Sequence, residues 1–393
     1  MQLSRLGIHC TIIDKAKFPR DKVCGDGLSG KVITVLEKID PLIARRFLAF
    51  AKKQPSWGVD FVAPGRHTMH IPYKPLFDKA IDNPNGFVCK RIHFDNFLVN
   101  EIRSSSNIDF IEDVDIREFK KVEAGYTLID STKTVEIHCS LVIIANGARS
   151  AFLKTGGASI KKSKELAVGI RGYYRNVGGI HKDHFIELHF LRGLLPGYLW
   201  IFPLPNGEAN VGIDMLSCDV SNKKINLRRM LNEILQNDAV LKHRFKSAEL
   251  VGNVDGYLLP LAARRRSISG DNYMIAGDAA SMIDPLTGEG IGNAMYAGRL
   301  AALQARACNE SKNYSASMLA GYDKEVYRVL GSEFKLSKKL QMLACYPRLF
   351  NWLMKKGSKS PELEHLVSRM LYDVRLRKQL ASPTFYFNLI FRK

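Results

Sequence analysis

Tyr273-Met274-Ile275-Ala276-Gly277-Asp278-Ala279-Ala280, continuing through Pro285, Gly288, Glu289, Gly290, Ile291 and Gly292, decides how the rest of the chain is read. Its first half is a short apolar run ending on an acid, the pattern of a buried strand. A glycine-punctuated turn follows. Ile291, Met295, Gly298, Ala301 and Ala302 then recur at three- and four-residue spacing, which predicts a helix. In an open parallel sheet, ligands sit beyond the carboxyl ends of the strands, where Asp278 stands. A carboxylate there can accept hydrogen bonds from a polyol. Gly288, Gly290 and Gly292 let backbone approach a flat ring or a phosphate with no side chain between. Unpaired N–H groups at the helix start favour negative charge at the same place.

Two further runs extend this unit. Gly7-Ile8-His9-Cys10-Thr11-Ile12-Ile13-Asp14 reads as the second strand of a Rossmann unit, whose terminal acid contacts the ribose of an adenosine. Such a unit carries its first strand and a G-x-G-x-x-G turn about 20 residues upstream. Here the sequence opens at Met1, in what reads as the tail of the first helix. A misplaced start, a fragment of a longer protein and a real loss of the motif compete. Loss is the least expected, because removing a central parallel strand exposes two strand edges and a core face. The chain beginning at Met1 is expected to hold its cofactor poorly. Leu141-Val142-Ile143-Ile144-Ala145 is a further all-apolar run, as for a parallel strand buried on both faces.

Between these runs, residues 107 to 139 alternate in short apolar and polar runs and read as a β-meander turning at Gly125. From about 166 to 216, strands separated by glycine turns predict one antiparallel sheet. A helical stretch from Leu227 to Ala248 follows, and Val251 to Leu261 is read as the return to the first unit. The expected fold class is α/β. It comprises a Rossmann-like cofactor domain without its first strand and glycine motif (1–58, 86–165 and 251–315), an antiparallel β-sheet substrate domain (59–85 and 166–250) and a C-terminal helical region (316–393).

With 393 residues, 46% hydrophobic and 25% charged, the composition is that of a globular protein with ample core. The net charge of +19 invites a nucleic-acid or membrane reading. The basic residues are scattered, with clusters at Lys161-Lys162-Ser163-Lys164, Arg264-Arg265-Arg266, Lys335 to Lys339 and Lys355-Lys356. No nucleic-acid-binding signature accompanies them, so no nucleic-acid partner is expected. A solvated basic surface and peripheral contact with an anionic membrane remain as the two readings. Seven cysteines without C-x-x-C pairing indicate neither a zinc site nor a disulfide framework, and a reducing cytoplasm is the economical location. His93, His181, His184 and His189 show no metal-ligand spacing, and no metal is expected.

The ordered string GDAA-x(4)-P-x-TGEGI-x-x-A, from Gly277 to Ala294, resembles the second flavin motif of FAD-dependent oxidoreductases related to aromatic hydroxylases. Two other segments resemble the geranylgeranyl reductase family within that group. Lys22-Val23-Cys24-Gly25-Asp26-Gly27 is similar to its K-x-C-G-G region, and Tyr198-Leu199-Trp200-Ile201-Phe202-Pro203 fits its Y-x-W-x-F-P pattern. The segment from Arg91 to Leu98 also resembles the family's R-x-x-F-D-x-x-L, with Phe94, Phe97 and Leu98 as a buried helix face. The likeness covers roughly residues 5 to 305. Asn146-Gly147-Ala148-Arg149-Ser150 matches the family's G-A-D-G-x-x-S turn only in part, which puts pyridine-nucleotide handling there in doubt.

This resemblance implies FAD, held by Asp14, Cys24, Gly25, Gly27, Arg91, Val114, Asp278, Gly288, Gly290 and Ile291, with NAD(P)H or ferredoxin as electron donor. It implies reduction of carbon–carbon double bonds in an isoprenoid or prenyl-lipid substrate. Saturating an alkene needs a hydride equivalent on one carbon and a proton on the other, and no side chain delivers hydride. Tyr198, Trp200 and Phe202 alternate along a strand and so share one face, suited to a long apolar chain and equally to a sheet core. Cys24 is the catalytic candidate, for proton delivery beside the flavin; free cysteines are otherwise inert small hydrophobes. A flavin monooxygenase or halogenase of the same fold is one alternative, although halogenases favour W-x-W-x-I-P. A non-catalytic lipid-binding relative is the other.

Overall fold

A computed structural model describes residues 1–74, 76–155 and 165–358. The basic cluster at 161–164 and residues 359–393 of the expected helical region lie outside the described residues.

The decisive stretch forms a strand at Tyr273–Ile275, a 3-10 turn at Gly277–Ala280 and a helix at Ile291–Ser311. The strand pairs in parallel with Val142–Ile144, and the Ala276 N–H donates to the Ile144 carbonyl at 2.9 Å. Small buried residues, Gly292, Ala297, Ala301 and Ala305, line the core side of the helix. They let it approach the helices Gly30–Ile39 and Ala316–Ala344 closely. Tyr322 of the latter is fully buried and donates its hydroxyl to the Ile275 carbonyl at 2.9 Å.

Cys10–Ile13 pairs in parallel with Ile108–Ile111. Residues 108–111, expected in the meander, therefore belong to the cofactor-side sheets. A four-residue apolar alternation carries no information on whether its partner runs parallel or antiparallel. The meander consists of Ile116–Val122, Gly125–Asp130 and Glu136–Cys139. At Gly125, φ is +152° and an added Cβ would lie 1.9 Å from the Cys139 carbonyl oxygen, so only glycine fits the turn.

The largest sheet among the described residues has seven strands, in the order Glu249–Pro260, Leu166–Arg175, Glu208–Leu216, Leu199–Pro203, Ile186–His189, Gly58–Val62 and Thr68–Pro72. It is mixed, not wholly antiparallel, because Ile186–His189 runs parallel to Gly58–Val62. These two strands are far apart in sequence, so a crossover connection joins them where a hairpin cannot. Val251 to Leu261, read as part of the cofactor unit, lies largely in this sheet against Leu166–Arg175. The chain rejoins the cofactor-side strands at Ser269–Gly270.

Alternation sorts the sheet's side chains onto two faces. Leu199, Ile201, Val211 and Ile213 pack against Leu227, Leu231 and Leu235 of the helix Leu227–Asn237. Tyr198, Trp200 and Phe202 point the other way, into a cluster with Tyr173, Leu188 and Phe190. Phe350 and Met354 of the helix Pro347–Gly357 join that cluster. His189 is a buried structural group, with Nε2 2.8 Å from Glu187 Oε2 and Arg244 bound to both oxygens of the same carboxylate.

Candidate functional site

A small sheet of Gly27–Ser29, Gly86–Val88 and Gln54–Ser56 carries the loop Lys22–Asp26 at its edge. The loop lies against the aromatic face of the large sheet. A Cβ on Gly25 would sit 3.3 Å from the Phe202 ring and 3.5 Å from Trp200 Nε1; on Gly27 it would sit 3.1 Å from Phe202. The two glycines thus let the aromatics pack onto loop backbone.

Polar bonds fix the contact. Trp200 Nε1 donates to Asn210 Oδ1 at 2.8 Å, and Asn210 Nδ2 donates to the Cys24 carbonyl and to Asp26 Oδ2, each at 2.8 Å. Tyr173 donates its hydroxyl to Asp26 Oδ2 at 2.8 Å. Asp26 is fully buried, takes the left-handed φ of 65°, and its Oδ1 has no protein partner. Burial pushes its carboxyl up from 3.8 to about 6, against the Asn210 and Tyr173 hydrogen bonds that pull it down.

Cys24 lies within electrostatic reach of Arg91. Burial pushes the Cys24 thiol up and Arg91 pulls the other way, leaving a net rise. The sulfur therefore keeps its proton at neutral pH. Arg91 opens the helix Arg91–Arg103 and binds Asp95 through Nε at 2.7 Å and Nη2 at 2.8 Å. Arg20 holds the same carboxylate at 2.5 Å. One acid against two guanidiniums leaves a local positive charge.

Lys22 Nζ is 3.5 Å from Asp278 Oδ2, which brings this loop to the decisive turn. In that turn Gly288 has φ of +69°, and a Cβ there would lie 2.8 Å from the Tyr198 hydroxyl. Tyr198 donates that hydroxyl to the Thr287 carbonyl at 2.6 Å. Its phenol is held well above its ordinary range by burial, so it stays neutral. Gly290 precedes Ile291, and the helix has no side-chain cap. Asp284 organises the turn, accepting from Leu286 N, Thr287 N and Thr287 Oγ1. Ser337 bonds Asp284 Oδ2 at 2.6 Å and Gln341 bonds the Pro285 carbonyl at 2.6 Å, so the helix Ala316–Ala344 braces the turn from outside.

Asp14 and Val114 meet elsewhere: the Val114 N–H donates to the Asp14 carbonyl at 3.2 Å, and the Asp14 carboxylate accepts from Ala16 N at 2.9 Å. The structure thus brings together Cys24, Gly25, Gly27, Arg91 and the aromatic trio, links them to Asp278 and Gly288, and keeps Asp14 with Val114 at a second place. Sequence reasoning missed Asp26, Tyr173, Asn210, Arg20, Asp95 and Asp284 as parts of the site. Asn210 carried a usable signal, as the lone amide within the apolar run Ala209 to Ile213.

These residues fit FAD. Arg20, Lys22 and Arg91 supply cations for a diphosphate. Asp278 suits a ribityl chain and Asp14 a ribose. The turn around Gly288 and Gly290 offers bare backbone ahead of an uncapped helix. Among the described residues no cluster of three or more His, Cys, Asp or Glu could hold a metal ion.

No protein-family model matches the chain. A menaquinone reductase of Mycobacterium tuberculosis is 27% identical over 357 residues, covering 88% of this chain and 80% of its own length. A digeranylgeranylglycerophospholipid reductase of Methanoculleus marisnigri is 30% identical over 329 residues, covering 80% and 75%. Among solved structures, a geranylgeranyl bacteriochlorophyll reductase-like protein of Thermoplasma acidophilum superposes with a TM-score of 0.81 at 21% identity, covering 99% of this chain and 93% of the other. A flavin-dependent brominase gives 0.76 at 18%, covering 98% and 94%. These two likenesses show the fold.

Proposed function

The chain belongs to the geranylgeranyl reductase family of FAD-dependent oxidoreductases, and from that premise we propose that it reduces carbon–carbon double bonds in the prenyl chain of a lipid or quinone. The observation that carries this reading is the seam between the Cys24 loop and the aromatic strand. Phe202 and Trp200 rest on the backbone of Gly25 and Gly27, with Asn210 bonded to both sides. An apolar chain lying along that face would be held next to a thiol that keeps its proton.

Reduced FAD, when bound, supplies the hydride equivalent. The protein's own residues do the rest. Arg20, Lys22 and Arg91 would hold the diphosphate, Asp278 the ribityl hydroxyls, and Asp14 with Val114 the adenosine end. Gly288, Gly290 and Ile291 would present backbone to the ring. Tyr198, Trp200 and Phe202 would line the substrate chain and exclude water. Cys24 would give its proton to the second alkene carbon and recover it from solvent. NAD(P)H or ferredoxin is the proposed donor, and a peripheral contact with an anionic membrane belongs to the same reading.

The test is anaerobic turnover of the FAD-loaded protein, reduced with dithionite, on a geranylgeranyl lipid. The flavin should reoxidise faster with the lipid present, and the product should be heavier by a pair of hydrogens per bond reduced. Trp200→Ala should lose turnover with its flavin spectrum intact. Hydroxylation or halogenation of an aromatic compound in air, with no prenyl reduction, would replace this reading by the monooxygenase one.

A further inference from the structure

Prenyl reduction makes no use of the outer surface of the last two described helices, which has a charge and shape of its own. Between Phe334 and Ser358 the sequence holds six basic residues and no acid. Lys335, Lys339 and Met342 are exposed and recur at intervals of four and three, so they form one line along the end of the helix Ala316–Ala344, and exposed Tyr346 follows in the link to the next helix. In the helix Pro347–Gly357, Arg348, Leu349, Trp352, Lys355 and Lys356 fall within an arc of about 120°. Three of the large apolar side chains on this face stand in water: Met342 is 58% exposed, Tyr346 65% and Leu349 45%. The Lys356 ammonium lies 5.9 Å from the centre of the Trp352 ring.

The opposite side of the second helix belongs to the site. Phe350 is 5.1 Å from Phe190, ring to ring, and Phe190 is 5.7 Å from Tyr198. One helix thickness, roughly 10 Å, therefore separates the aromatic wall from the basic, apolar face. A nucleic acid would satisfy the cations but not Met342 and Leu349. An anionic bilayer satisfies both, with lysines at the headgroups and apolar tips below them.

We propose that this face docks on an anionic phospholipid bilayer and sets the aromatic wall close to where prenyl chains are found. The proposal rests on the prenyl-lipid reading for its purpose, and its test needs no turnover. Full-length protein is sedimented with phosphatidylcholine vesicles that do or do not contain phosphatidylglycerol. The wild type should bind the anionic vesicles alone, more weakly as salt rises. Lys339→Glu combined with Met342→Glu and Leu349→Glu should weaken that binding about tenfold or more. The control, Arg117→Glu with Lys120→Glu on the strand Ile116–Val122, should bind close to wild type. Far-ultraviolet circular dichroism and the unfolding midpoint report that each variant is folded.

Equal loss in both variants would reduce the effect to net charge and overturn the proposal. So would binding that ignores lipid charge, an affinity for duplex DNA as strong and as dependent on the same residues, or dimerisation through this face in solution. Vesicle binding that follows these residues while no prenyl lipid is reduced in detergent would leave the docking standing and remove the functional reading.

Discussion

Asp26 is the residue whose chemistry departs furthest from what its sequence neighbours announce. In Lys22-Val23-Cys24-Gly25-Asp26-Gly27 it stands between glycines as if solvated, yet it is fully buried beneath Tyr173 and Asn210. Its carboxyl binds a proton more tightly folded, at about 6, than unfolded, at 3.8. Between these values the folded state holds more protons, so Asp26 costs stability as pH rises from about 4 to 6. Asp26→Asn keeps an acceptor for Tyr173 and tolerates the positive φ. Relative to wild type, this variant should gain stability across that window by up to about 3 kcal/mol. Urea unfolding at several pH values measures it, and a pH-independent difference would refute the buried titration. Cys24→Ser tests the neighbouring proton. General acid catalysis contributes about 10²–10⁴-fold, so the alkene step should slow by that order while FAD stays bound. Full turnover would make the cysteine structural and leave water as the donor, since Tyr198 commits its hydroxyl to Thr287.

Helices and strands position these groups through contacts made across long stretches of sequence. The helix Ala316–Ala344 was legible as helix, but its grip on the turn at 284–288 through Ser337 and Gln341 was not. Ser337→Ala with Gln341→Ala should free that turn. Each lost bond to a buried partner costs about 1–3 kcal/mol, so FAD affinity should fall about tenfold or more, read by fluorescence titration. Unchanged affinity would mean that Asp284 holds the turn unaided. The aromatic strand shows the converse. Period-two spacing alone put Tyr198, Trp200 and Phe202 on one face, because the alternation of a strand is set by its backbone. Which surface they would meet was open until the glycine loop was found packed on Phe202.

At the level of the whole chain, Asn210 ties the Cys24 loop to the seven-stranded sheet, with two bonds to the loop and one to Trp200 within the sheet. Asn210→Ala leaves the Trp200 indole N–H, the Cys24 carbonyl and Asp26 with one partner fewer. A loss of at least about 2 kcal/mol is expected in the unfolding free energy. Hydrogen exchange should rise together in residues 22–29 and 198–203. Exchange confined to one side would show that the two parts are coupled by other contacts. Added FAD should raise the midpoint of wild type by more than that of the variant, because a ligand bound only to the native state stabilises it in proportion to occupancy.

The sequence by itself determined the strand–turn–helix from Tyr273 to Ser311, the aromatic stripe, the Cys24 loop and the family they resemble. Each is written in local spacing, glycine placement or an ordered motif, and needs no knowledge of a distant partner. Tertiary structure decided the rest. It gave Ile108–Ile111 a parallel partner, drew the strand Glu249–Pro260 into the large sheet, and set Asn210, Tyr173 and Asp26 in one buried network. Strand pairing depends on which edge is free after collapse, and burial of a carboxyl depends on side chains well over a hundred residues away. Neither quantity is a property of a short stretch of sequence.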